Sequence, residues 1–262
     1  MCRVVQMQKK YIILPQRIKV VLVFRKYIIE TCHPEWEELV HNALDQMDSN
    51  YLKQLVDDSL WLPGLSHLFA AFSLPPSQIR YVLLGESPYP RSDSANGYAF
   101  WDNAVGDLWS LQGLSKPVNK ATSLRNFIKM LLIARGDLHS NTSQQAIAEV
   151  DKSGLVLTAE DLFMGMMKKG ILLLNASLVY SEGKVPYHAR YWKPFIESIL
   201  GQLAKLKPTV QLILFGKIAE SIPQDKLPVG LVAEHPYNVS FITNQRVIKF
   251  FQPLDLLSYE KY

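Results

Sequence analysis

The sequence predicts a single α/β domain with a central, mostly parallel four-stranded sheet flanked by helices on both faces. Three observations lead there. Four short aliphatic runs, at residues 81–84, 171–174, 210–215 and 229–233, have the length and composition of buried strands. Segments with apolar residues at three- and four-residue spacing separate them, which is the pattern of βαβ units. The chain has 262 residues, 48% of them apolar and 20% charged, enough for one large core and too apolar for extended disorder.

Residues 1–30 read as a basic N-terminal arm ahead of a domain spanning 31–262, because the first acidic residue is Glu30. The apolar stretch from Tyr11 to Ile29 is interrupted by Pro15, Arg17, Lys19, Arg25 and Lys26, so it suits neither a membrane span nor a signal peptide. A flexible or partly strand-like tail is the plain expectation; an arm on DNA phosphates and a transit peptide are the other two readings. Residues 34–60 look helical, through Trp36, Leu39, Val40, Leu44, Met47, Leu52, Leu55 and Val56. Pro63-Gly64 ends that region, and a second helix carrying Leu65, Leu68, Phe69 and Phe72 stops before Pro75-Pro76.

Strand 81–84 follows and feeds a polar loop. Residues 122–135 return to helical spacing, with Thr122-Ser123 where an N-cap stands. Residues 136–159 are polar and without period, which reads as an insertion or mobile flap. A short helix at 160–169 leads into strand 171–174 and a loop rich in Tyr, His and Lys. Helix 192–206, strand 210–215, strand 229–233 and a last helix near 244–251 complete the chain.

The net charge of +4 suits a polyanionic partner without demanding one. Cys2 and Cys32 are the only thiols; they form no metal motif and are too few for a protein-bound iron–sulfur cluster. No cofactor and no metal are therefore expected. A reducing compartment is the simpler assumption, cytoplasmic or, in a eukaryote, nuclear. There is no Gly-x-Ser-x-Gly elbow, no Walker loop and no dinucleotide fingerprint.

Chemistry concentrates in three loops that each follow an aliphatic strand. The first is Gly85-Glu86-Ser87-Pro88-Tyr89-Pro90, running on to Gly97-Tyr98-Ala99-Phe100. It is stiffened by two prolines and carries a carboxylate, a hydroxyl and an aromatic ring. The second begins at Asn175, after Ile171-Leu172-Leu173-Leu174. The third is His235-Pro236-Tyr237-Asn238-Val239-Ser240. Strand ends of this kind face the ligand crevice of an open α/β sheet. With Phe215-Gly216-Lys217, these segments resemble, in order, the motifs of the uracil-DNA glycosylase superfamily, and the resemblance covers roughly residues 60 to 256.

The resemblance implies hydrolysis of the N-glycosidic bond of uracil in DNA by base flipping, leaving an abasic site. Such an enzyme must stabilise a departing anionic base, hold a water under the sugar and extrude the nucleotide. By resemblance, His235 donates to O2 of the leaving base and Asn175 reads its O4 and N3 edge. Phe100 stacks on it, and Tyr89 excludes the methyl of thymine. Ser123, Lys217 and Ser240 meet the DNA backbone, and Val239 stands at the wedge position. The implied partner is DNA, single- or double-stranded, with a monomeric chain and room for a protein partner.

The chain departs from the family where the water is activated, because Ser87 stands where the best-known branch has Asp. Serine is no base at neutral pH without help. Two readings stay open: Glu86 orients the water, or Ser87 only holds it and the rate is low. Plainer readings stay open too, with Glu86 bracing its loop, His235 capping its own loop, Asn175 closing a strand, and Phe100, Tyr89 and Val239 as packing residues. The competing function is a catalytically weak or inactive glycosylase-like module that binds DNA or a protein.

Overall fold

A computed structural model describes residues 16–58, 60–218, 222 and 226–259. Its main sheet has four parallel strands, β1 (Tyr81–Gly85), β4 (Ile171–Asn175), β5 (Gln211–Phe215) and β6 (Val229–Ala233), in the order β4-β1-β5-β6. A two-residue antiparallel hairpin, β2 (Trp109–Ser110) with β3 (Gly113–Leu114), stands apart from it. The register sets Gly85 of β1 against Asn175 of β4.

Successive side chains on a strand point to opposite faces, and here each face meets a core of its own. Leu83, Leu173, Ile213 and Leu231 join one apolar cluster, while Val82, Leu84, Leu172, Leu174, Leu212 and Leu214 join the other. The first cluster is covered by α5 (Thr122–Arg135), α7 (Ala159–Lys168) and α9 (Gln245–Phe251), with the short α4 (Lys116–Lys120) and α6 (Gln144–Glu149) at its margin. The second is covered by α1 (Gln16–Thr31), α2 (Glu37–Leu44), α3 (Ser49–Asp57) and α8 (Val185–Leu206). The helices therefore lie on both faces of a parallel sheet. No helix among the described residues is long and apolar enough to cross a membrane.

Several local expectations are corrected. The supposed arm is structured from residue 16 onward. Phe24 and Ile28 of α1 are fully buried beside Trp36 and Phe69, each burial contributing roughly 1.5–3 kcal/mol. Its basic residues Arg25 and Lys26 stay at the surface, and so mask an apolar stripe in the sequence. Residues 1–15, with Cys2, lie outside the described residues. Cys32 is buried, and burial pushes its thiol up to about 12.

The helix expected over 34–60 breaks in two, because Asp48 accepts from the backbone N–H of Tyr51 (2.8 Å) and caps α3. Residues 65–73 form two short 3₁₀ turns instead of an α-helix. Thr122 and Ser123 lie inside the first turn of α5, whose N-cap is Ala121 without a side-chain hydrogen bond. α8 begins at Val185, with a proline in its first turn, earlier than the apolar spacing suggests.

Residues 136–159 are no loose flap. They carry α6 and bury Leu138, Ile147, Leu155 and Val156. The Val156 carbonyl accepts from Trp109 Nε1 (2.7 Å), and its N–H donates to the carbonyl of Leu257 (2.8 Å). Lys152 Nζ caps the end of α6 through the carbonyls of Ile147, Ala148 and Val150. The segment lacks period because irregular backbone, not one helix face, delivers its apolar residues to the core.

Candidate active site

The carboxyl ends of β1, β5 and β6 border a cleft of about 610 Å³, lined among others by Gly85, Glu86, Phe100, Gly216, Lys217, His235 and Asn238. Loops separated by more than a hundred residues of chain meet there because parallel pairing brings all strand ends to one edge. The loop after β1 is tied to the loop after β4: Ala176 N donates to the carbonyl of Gly85 (2.8 Å) and Ser177 N to that of Glu86 (3.0 Å). The backbone of Glu86 is thus fixed while its side chain is exposed to the cleft; Ser87 beside it is half-buried.

Asn175 ends β4 and is 2% exposed. Its Nδ2 finds no hydrogen-bond partner among the described residues, which costs roughly 1–3 kcal/mol for a buried donor. Its Oδ1 lies against Gly85, where an added Cβ would stand 2.4 Å away. Glycine is required at 85 because that amide occupies the space of a side chain.

Phe100 has a backbone φ of 65°, a left-handed conformation uncommon for a bulky residue. Strain of this kind persists only where surroundings enforce it. Here Tyr89 Oη donates to the Phe100 carbonyl (3.2 Å), and Ala99 N donates to the carbonyl of Leu173 (3.1 Å). The Phe100 ring packs edge-on against Phe215, with centroids 5.7 Å apart, and lies nearly parallel to the imidazole of His235, at 5.8 Å and 25°. Tyr89 is half-buried; burial first, then the nearby Asp102 carboxylate, pushes its phenol up to about 12, so it stays protonated.

His235 follows β6. The backbone N–H of Tyr237 donates to its Nδ1 (3.1 Å), which leaves the proton of the neutral ring on Nε2. Burial lowers its pKa below the ordinary histidine value, opposed by the Glu86 carboxylate nearby. A neutral imidazole that carries its proton on Nε2 is the consequence. Gly216, at φ 62°, passes so close that an added Cβ would meet His235 Cβ at 3.0 Å.

Lys217 is exposed at the cleft wall, and Ser123 is half-buried at the start of α5, beside Phe100 and Pro236. Val239 and Ser240 are exposed at the start of a 3₁₀ turn (Val239–Thr243) whose Phe241 is fully buried against Phe215. The structure therefore gathers Glu86, Phe100, Lys217 and His235 on one cleft, with Asn175 below its Gly85 wall and Tyr89 tied to Phe100. Ser123, Val239 and Ser240 lie on segments adjoining it. Among the described residues no group of three or more His, Cys, Asp or Glu side chains is placed to hold a metal.

Three supporting residues escape sequence reasoning. Asn126, 1% exposed on the apolar face of α5, donates from Nδ2 to the carbonyl of Pro236 (2.8 Å), with those of Tyr237 (3.3 Å) and Asn238 (3.5 Å) also in reach. Buried Asp102 accepts from Arg91 (2.9 Å) and from the N–H of Ala104 (3.0 Å), bracing the loop that holds Tyr89 and Phe100. Asn126 leaves a legible trace, a lone amide among Leu124, Phe127 and Ile128 in a helical stripe. The Arg91–Asp102 pair leaves none.

No protein-family model matches the chain. It is similar to the uracil-DNA glycosylase of Helicobacter pylori (strain HPAG1), 29% identical over 220 residues, covering 78% of this chain and 83% of that protein. The uracil-DNA glycosylase of Azobacteroides pseudotrichonymphae is 26% identical over 225 residues, covering 84% of each. Among solved structures, the wild-type UNG crystal structure from Nitratifractor salsuginis superposes with a TM-score of 0.86 at 39% identity, covering 94% of this chain and 100% of that one. The mimivirus uracil-DNA glycosylase, at 18% identity and a TM-score of 0.53 over 88% of this chain and 78% of that one, shares the fold.

Proposed function

This chain belongs to the uracil-DNA glycosylase family, and on that premise we propose how its cleft releases uracil from DNA. The observation that carries the mechanism is the pairing of Phe100 with His235. A base stacked parallel to Phe100 lies within about 25° of parallel to the imidazole, and an N–H that meets the in-plane lone pairs of a carbonyl oxygen needs that near-parallel setting. The Tyr237 N–H has already placed the ring proton on Nε2. His235 therefore donates, uncharged, to O2 of uracil as negative charge develops there when the glycosidic bond breaks. A donor fixed in advance needs no reorganisation at that moment.

Asn175 reads the O4 and N3 edge with its carboxamide, and the unpartnered Nδ2 supports that role. Cytosine presents an amino group there and leaves the buried amide unpaired, a large penalty. Tyr89, held to Phe100, forms the wall that excludes a 5-methyl group. Glu86 is assigned the water: its carboxylate faces the cleft on a fixed backbone, close enough to His235 to bear on its proton affinity. Ser87 has no basic group to offer. Lys217, Ser123 and Ser240 hold phosphates, by charge and by close backbone approach. On this reading the chain acts as a monomer.

The test is base release from single- and double-stranded uracil DNA under single-turnover conditions. Glu86→Gln is expected to lose about 10²–10⁴-fold in rate with binding retained, the usual effect of removing a positioned base. A Glu86→Gln enzyme at full rate beside a crippled Ser87→Ala would move the water to Ser87.

A further inference from the structure

We propose that Tyr237 fills the gap left in the base stack when the nucleotide is extruded, and so sets the preference of the chain between duplex and single-stranded substrate; this rests on the glycosylase reading above. Extrusion from a duplex leaves neighbouring bases unstacked, and the helix recloses unless an apolar group enters the gap. At the wedge position this chain has Val239, 72% exposed but ending one carbon beyond Cβ. Tyr237, on the same loop, is 66% exposed and sits between His235 and Asn238, both of which line the cleft.

The root of Tyr237 is held while its ring is free. Its N–H donates to His235 Nδ1 (3.1 Å), its carbonyl lies 3.3 Å from Asn126 Nδ2, and Asn238 N closes the turn onto the His235 carbonyl (2.9 Å). Among the described residues no ring packs on it and no group bonds its hydroxyl. A large, flat, exposed ring on a backbone already ordered in folding offers a stacking face whose main chain needs no further ordering. Because the same backbone N–H sets the tautomer of His235, insertion of the ring and donation to the base are properties of one rigid turn.

The experiment compares uracil release from one sequence as single strand, U·G duplex and U·A duplex, for wild type, Tyr237→Ala, Tyr237→Phe and Val239→Ala. Tyr237→Ala should lose about 10–100-fold in kcat/KM on U·A, the rate equivalent of one stacking contact. It should lose less on U·G, where extrusion costs less, and a few-fold at most on single strands. Tyr237→Phe should stay near wild type, and Val239→Ala should lose less than Tyr237→Ala on U·A. Retained single-strand activity shows that the Tyr237→Ala protein is folded. Equal loss on all three substrates, no loss, or a duplex-specific loss confined to Val239→Ala overturns the inference. Wild type unable to release uracil from any of the three substrates overturns the glycosylase reading itself, whereas an active wild type without the graded pattern overturns this inference alone.

Discussion

Asn175 is 2% exposed, its amide pressed against Gly85 where two paired strands end, whereas Tyr237 and Val239 stand 66% and 72% exposed on a turn at the edge of the same cleft. The floor is built from fully buried backbone and tolerates no added atom. The rim has an anchored main chain and free side chains. On the proposed reading, a site that must discriminate one pyrimidine from another while accepting any flanking sequence needs both: unforgiving packing at the base-reading amide, and adaptable contact at the strand-facing turn.

Gly85→Ala is the most damaging way to break this comparison. The new Cβ would stand 2.4 Å from Asn175 Oδ1 and 3.0 Å from Ala99 Cβ, so the amide must move. Overpacking of this kind costs about 1–3 kcal/mol in urea unfolding, and a shift of about 1 Å at the reading group costs about 10²-fold in kcat/KM. Wild-type kinetics would show the floor to be softer than it looks.

Asn126→Ala joins floor to rim. It removes the buried donor to the 236–238 carbonyls, and the expected loss is about 1–3 kcal/mol of stability, with a lower kcat because His235 loses its seat. Equal stability with an unchanged kcat would mean that the turn holds itself.

Titration of the His235 ring, followed by NMR, sharpens the electrostatic side. It should titrate below the ordinary 6.5, because burial disfavours the charged form. The Glu86 carboxylate opposes that shift, so Glu86→Gln should lower the value further. The linkage has a definite sign. The unfolded chain binds this proton first as pH falls below 6.5, so the stability contributed by neutral His235 is full above 6.5 and is lost as pH drops through the lower folded value. A titration above 6.5 would contradict the buried setting.

The smallest effect belongs to the rim. Lys217→Ala should leave the fold intact, weaken DNA binding uniformly across sequences and make the salt dependence shallower by about one contact. An unchanged slope would remove Lys217 from the phosphate path.

Much of this was legible in the residues. The four aliphatic strands and the helices between them announce the parallel sheet, and β1 and β4 appear within one residue of their expected ends because buried strands read as continuous apolar runs. The cleft residues were legible as residue types placed after strands. α1 was not, because Arg25 and Lys26 interrupt an apolar stripe that only the second core makes meaningful. Nor was the order of residues 136–159, whose Leu138, Ile147, Leu155 and Val156 reach the core without a period. Asp102 is silent in sequence, since its worth depends on Arg91 arriving beside it.

By itself the sequence determined the alternation of strands and helices, the stiff proline-flanked loop after β1, and the identities of Glu86, Asn175 and His235, because local patterning and residue chemistry are properties of neighbours along the chain. Tertiary structure alone decided that Tyr237 sets the tautomer of His235, that Asn126 seats their turn, and that Phe100 lies almost parallel to the imidazole. Those are relations between groups far apart in sequence, or between a backbone and a ring. The Asn126 and Phe100 contacts come into being only when parallel pairing brings the strand ends to one edge, and the Tyr237–His235 bond is made within the turn that they hold in place.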